Sequence, residues 1–141
     1  MSHPPFDPFE EAERLGVSVE YDPWCLAPDE CGAWLPQFNG IFLRPGMATA
    51  LERTVLAHEL GHVHHDHRES SPRTEILANL WAANHLIDIE LLVDAMRCST
   101  DPQVWAAELR VTPRLLRLFT RVYEPDIARI VASSTLVRMA S

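Results

Sequence analysis

The apolar positions along the chain change period several times, and each change marks an element. Asp7-Pro8-Phe9-Glu10 has the form of a helix start, with a cap, a proline at the first helical position and an acid in the first turn. Gly16 ends that helix after Leu15. Val17, Val19 and Tyr21 then alternate with Ser18 and Glu20, the period of a half-buried strand. Asp22-Pro23 breaks it, and residues 24–31 predict an irregular loop or one helical turn. Ala33-Trp34-Leu35 and Ile41-Phe42-Leu43 flank Pro36-Gln37-Phe38-Asn39-Gly40, whose Asn-Gly step predicts a hairpin with a five-residue connection. From about Met47–Thr49 to His65 the period turns helical, with Leu51, Val55 and Leu56 at helical spacing. Ser71-Pro72, Asp101-Pro102 and Thr112-Pro113 each pair a cap with a proline start. The helix after Ser71 is apolar around much of its circumference and is expected to be largely buried. Further helices are predicted over about 88–97, 101–109, 112–122 and 125–137, and the first five or so residues and the last several are expected to fray.

One stretch in this pattern carries chemistry: His58-Glu59-Leu60-Gly61-His62. On a helix, residues four apart lie about 40° apart around the axis, so both histidines face the same side. Two imidazoles on one face suit Zn²⁺, and Glu59 sits close enough to act as base on a water that the ion activates. Five residues alone recur by chance, but here they lie in a helical run with an apolar back to bury. A third protein ligand is then required. His64 points to the opposite side, and His65 lies a turn further along. Arg68 and His65 stand where a three-histidine pattern would need His and Gly. Two carboxylates remain, Glu75 and Glu69. Glu75 opens a new helix and has Asn79 one turn on, on the same face. Glu69 lies in a polar loop without such a neighbour, so Glu75 is preferred. Glu75 with Asn79 resembles the second-helix signature of gluzincin proteases, in which the Asx side chain orients a ligand histidine.

Taken together, Gly40-Ile41-Phe42-Leu43, Leu56-Ala57-His58-Glu59-Leu60-Gly61-His62 and Glu75-x-x-Ala78-Asn79-x-Trp81-Ala82-Ala83 resemble the ImmA/IrrE family of metallo-endopeptidases, over roughly residues 15–95. The resemblance implies a small sheet packed on a metal helix and a ligand helix, with further helices behind. It also implies a zinc peptidase of phages, prophages and bacterial regulatory operons that cuts helix-turn-helix repressors. The chain departs from that pattern at Leu77, where many members have a second Glu, at Trp81 in place of Phe, and at Asp88, where Pro often ends the helix. Leu77 leaves Glu75 as the only acid on its turn, and the other two changes bear on packing.

Composition narrows the setting. The chain has 141 residues, 47% of them hydrophobic, and shows no repeat or linker. A single α+β domain is expected over 1–141, with a small antiparallel sheet, a core at about 7–97 and a helical C-terminal extension at about 98–137. No apolar stretch approaches the ~20 residues of a membrane helix. The N-terminus lacks the basic-then-apolar form of a signal peptide. Cys25, Cys31 and Cys98 are odd in number and at no metal-type spacing, which fits a reducing, cytoplasmic compartment. The net charge of −8 is uneven: residues 1–96 hold 16 acidic and 5 basic side chains, and the remainder 4 and 7. The acidic front half disfavours direct nucleic-acid binding.

Ala106 to Leu116 looks like a helix-turn-helix fragment, and Arg114, Arg117 and Arg121 form one stripe on its second helix. That stripe could meet phosphates or an acidic partner. The plainer expectation is a helix pair that caps the core with solvated arginines outside. His67 and His85 are weak candidates to polarise a carbonyl, Tyr21 and Tyr123 to stabilise an oxyanion, and Trp34 to line a substrate groove. The strand with Ile41–Leu43 is expected at the outside of the sheet, where it could hold substrate by β-augmentation. The sequence thus points to a zinc endopeptidase with His58, His62 and Glu75 as ligands, Glu59 as base and Asn79 as an orienting group. Its expected substrate is a regulatory protein such as a helix-turn-helix repressor. The rival is a zinc-stabilised module that grips such a repressor without cutting it; DNA binding through residues 105–121 ranks third.

Overall fold

The computed structural model describes residues 5–140, with side chains described through 133. The fraying expected for the first residues falls largely outside them, whereas at the other end the last helix runs on to Ala140, past the end expected near 137. In chain order the elements are α1 (Pro8–Leu15), β1 (Ser18–Tyr21), β2 (Gly32–Leu35), β3 (Gly40–Leu43), α2 (Thr49–His64), α3 (Pro72–Leu86), α4 (Ile89–Cys98), α5 (Pro102–Leu109), α6 (Pro113–Val122) and α7 (Glu124–Ala140). The chain is an α+β fold, and its helix starts lie where caps and prolines placed them. Asp7, Asp101 and Thr112 each accept a backbone N–H of the first turn. Ser71 and Thr74 form a reciprocal capping pair at the head of α3. Asp88, at the position where Pro is usual, caps α4 instead.

The sheet corrects two expectations. Its order is β1-β3-β2, with β2 antiparallel and β1 parallel to β3, so it is mixed rather than antiparallel. Chain direction accounts for this. The run reverses between β1 and β2 and again in the hairpin, so β1 and β3 point the same way. Strand β3 is buried along its whole length, and a strand so apolar belongs at the centre. The Ile41–Leu43 strand is therefore paired on both edges and cannot accept a peptide. Strand β2 is an edge. The Cys31 carbonyl, just before β2, accepts from Arg44 N–H on the β3 side. The Trp34 N–H points the other way, to Glu59.

One apolar cluster joins the sheet to the helices: Ile41 and Leu43 meet Leu56, Ala57 and Leu60 of α2, and the cluster continues through Trp81 and Ala82 of α3 into Leu115, Leu116 and Phe119 of α6. Helices α2 and α3 approach closely at Gly61. A Cβ there would lie 2.8 Å from the Ala78 carbonyl oxygen and 2.9 Å from Ala78 Cα. Among the described residues no single helix is long and apolar enough to cross a membrane. The bent pair α3–α4 passes such a test only in combination, and it is apolar because it builds this core. Cys25, Cys31 and Cys98 are free thiols.

Candidate metal centre

The site lies where α2, α3 and β2 meet. His58 and His62 project from the same face of α2, and the close packing at Gly61 brings the first turns of α3 alongside them. The His58 and His62 Nε2 atoms are 3.2 Å apart. Glu75 reaches both, Oε2 to His58 Nε2 at 2.8 Å and Oε1 to His62 Nε2 at 3.1 Å. A tetrahedral zinc ion with bonds of about 2.0–2.2 Å needs ligand atoms roughly 3.3 Å apart. The three distances fall within about half an ångström of that value. The donor set, two imidazoles and a carboxylate, therefore fits a metal ion by chemistry and by spacing.

Each imidazole is also held from behind. His58 Nδ1 meets Asn79 Oδ1 at 2.7 Å, so its ring donates there and keeps the Nε2 lone pair for a ligand role. His62 Nδ1 meets His67 Nδ1 at 2.9 Å, a bond with one proton between two nitrogens. The chain reaches this arrangement by a left-handed turn at Asp66 (φ 52°) and a bond from the His67 N–H to the His62 carbonyl, 2.9 Å. Burial lowers the His62 pKa, aided by His58, which favours the neutral ring that binds metals. The Ser70 hydroxyl donates to Glu75 Oε1 at 3.1 Å. Burial pushes the Glu75 carboxyl up, but the two imidazoles and Ser70 outweigh it and leave a net downward shift.

Glu59 is the second carboxylate near the histidines. One ligand atom from each of His58, Glu59 and His62 lies within 4.8 Å of the others. The two carboxylates differ in what their oxygens do. Glu59 Oε2 accepts the Trp34 N–H from the edge of β2 at 2.8 Å. Glu75 directs one oxygen at each imidazole. Burial raises the Glu59 pKa to about 7, against the pull of His58 and the Trp34 N–H. Glu69 makes no hydrogen bond or ion pair with either imidazole among the described residues. It lines a small cavity of about 170 Å³ with Trp34, His62 and His67. A larger one, about 970 Å³, also borders Gly32, Glu59 and Glu75, takes in His58, and is walled by Arg114, Arg117 and Arg121.

The structure thus gathers His58, Glu59, His62, Glu75 and Asn79, and it places Trp34 on the cleft. It does not bring Tyr21, Tyr123 or His85 there. His85 stacks on Trp81 and bonds its carbonyl, and the Tyr123 hydroxyl donates to Asn84. The His67 bond to His62, the Ser70 bond to Glu75 and the arginine wall were not foreseen. All three depend on tertiary placement; only the short His62–His67 separation offered a hint.

Residues 12–119 match the family profile described as the IrrE N-terminal-like domain, a peptidase family. The chain belongs to that family. Its function is accordingly of the metallopeptidase class, and the His58-Glu59-His62 group supplies a place for the ion. No curated protein matches the chain. The match runs through α5 to residue 119 of α6, which takes in Arg114 and Arg117 of the larger cavity's wall but not Arg121.

Proposed function

We propose that this chain is a zinc-dependent endopeptidase in which His58, His62 and Glu75 hold the ion and Glu59 is the general base. One observation supports this above the others: both Nε2 atoms and the Glu75 carboxylate converge at 2.8–3.2 Å, while both Nδ1 atoms are fixed from behind. When bound, the ion supplies Lewis acidity toward the scissile carbonyl and a lowered pKa to the attacking water. Asn79 and His67 hold the two imidazoles in orientation. The Trp34 N–H fixes Glu59 Oε2, which leaves Oε1 to take the water's proton and deliver it to the leaving amine. The outer-edge groups of β2 that Glu59 does not take, beginning at Gly32, pair with the substrate backbone by strand addition. A cytoplasmic regulatory protein, such as a helix-turn-helix repressor, is the substrate that the family resemblance supports.

The purified protein should hold about one zinc per chain. Elemental analysis should show that Glu75→Ala loses most of it and Glu69→Ala does not; the reverse would reassign the third ligand. Glu59→Gln should keep its zinc and fold, yet cut a protein substrate about 10²–10⁴-fold more slowly, the usual contribution of a positioned base. Cleavage at the wild-type rate would sink the mechanism and leave the non-cutting zinc module as the better description.

A further inference from the structure

We propose that Arg114, Arg117 and Arg121 select acidic side chains of the substrate on one side of the scissile bond. This rests on the peptidase reading above and names the substrate class for that same site.

The three arginines fall at spacings of three and four on α6, so they form one stripe about 10 Å long. All three are exposed, and all three line the larger cavity together with His58, Glu59 and Glu75. The stripe therefore faces the reaction centre rather than a remote surface. Several other arginines are already engaged. Arg14, Arg97 and Arg129 pair with acids on their own helices, and Arg44 and Arg53 bond backbone carbonyls. Arg114, Arg117 and Arg121 make no side-chain hydrogen bond or ion pair among the described residues. Three adjacent like charges repel along a helix, and among the described residues the carboxylates lining that cavity, Glu59 and Glu75, belong to the candidate metal centre.

Helix α6 is held in place over the cleft. Its opposite face buries Leu115, Leu116 and Phe119 in the core. Two consecutive residues of α2 grip the turn before it. Arg53 donates to the Arg110 carbonyl at 2.6 Å, and the Thr54 hydroxyl oxygen accepts the Thr112 N–H at 3.3 Å. The smaller cavity, which meets the larger one at Gly32, Glu59 and Glu75 and takes in His62 where the larger takes in His58, is of mixed charge: it carries Glu30 and Glu69 with Arg68. A peptide crossing from one cavity to the other passes from a basic wall to a mixed, more acidic one. Electrostatic complementarity then favours Asp and Glu only on the α6 side.

The test uses fluorescein-labelled ten-residue peptides, one with a block of four Glu and one with Gln in their place, titrated by anisotropy against the zinc-loaded Glu59→Gln protein. The Glu peptide should bind more tightly. Adding Arg114→Gln, Arg117→Gln and Arg121→Gln together should weaken it roughly tenfold, the sum of three screened ion pairs. That difference should shrink as salt rises. If the triple variant fails to fold by circular dichroism, Arg117→Gln alone should show about a third of the effect on the logarithmic scale. With active protein, a quenched-fluorescence library carrying Glu at each position should show faster cleavage when Glu lies on one side of the cut. Equal binding by the variant, a two-sided preference or no preference would overturn the inference and leave the peptidase reading intact. Arginine-dependent binding of the Glu peptide with no cleavage of any peptide would instead overturn the peptidase reading and, with it, the placement beside a scissile bond, and leave only an acid-binding cleft. A labelled DNA duplex that binds through these arginines more tightly than the Glu peptide at physiological salt would also overturn the inference.

Discussion

Glu59 is the most buried acid of the chain, 8% exposed, and its buried carboxyl gives a signed prediction for the metal-free protein. Its pKa in the folded chain is raised to about 7 from 4.5. Between those values the folded state binds more protons at this site than the unfolded state does, so stability falls as pH rises through the window. His62 acts oppositely. Its folded pKa is depressed, so that ring's contribution is lost as pH falls. The two partly cancel in the wild type, and Glu59→Gln removes only the first. In the presence of a chelator, the variant should melt above wild type at pH 8, with the gap closing toward pH 5. A gap that does not change with pH would rule out the buried carboxyl as its cause. Of the residues gathered here, His58, Glu59 and His62 were legible from the helix period, and Glu75 and Asn79 from their place on the next helix once the other candidate ligands were set aside. His67 was legible only as a candidate, because its contact with His62 depends on the left-handed turn at Asp66, which no periodicity reports.

At the scale of elements, the distance between α2 and α3 decides whether two histidines from one helix and a carboxylate from the other can meet. Gly61 sets that distance. Any Cβ added there meets the Ala78 backbone, at 2.8 Å from its oxygen, and backbone atoms on a packed helix cannot rotate away. Gly61→Ala should therefore push α3 outward and cost about 1–3 kcal/mol of stability, as overpacking of a filled interior does. It should also weaken zinc binding, since Glu75 and Asn79 ride on α3 while His58 and His62 stay on α2. Unfolding by denaturant and a competitive zinc titration measure the two effects. Normal zinc affinity in a destabilised variant would show that the centre tolerates the shift. Helix starts were legible because caps and prolines act locally. Strand order was not. A hairpin fixes the direction of two strands, but which strand takes the middle depends on total burial, and Ile41, Phe42 and Leu43 win it from outside the range of any local signal.

Across the whole molecule, Arg53 connects parts that are far apart in sequence. Its guanidinium bonds the Leu109 and Arg110 carbonyls at the end of α5, at 3.4 and 2.6 Å, and the Phe6 carbonyl near the N-terminus at 3.4 Å. It does so from the helix that bears the histidines. Burial lowers the pKa of this arginine, but a guanidinium so far from its titration range stays charged at any working pH. Arg53→Met keeps much of the apolar stem and removes every donor. The cost should be about 1–3 kcal/mol, the penalty of carbonyls left without partners in partly buried positions. The more telling result is the shape of unfolding. If Leu115, Leu116 and Phe119 share one core with α2 and α3, then α5 to α7 cannot detach while the rest stays folded. Far-UV circular dichroism and tryptophan fluorescence should then report a single coincident transition in both proteins, shifted to lower denaturant in Arg53→Met. A separate early loss of helical signal in the variant would show that the C-terminal helices are an appended unit, and that α6 reaches the cleft only through this arginine and its neighbour Thr54.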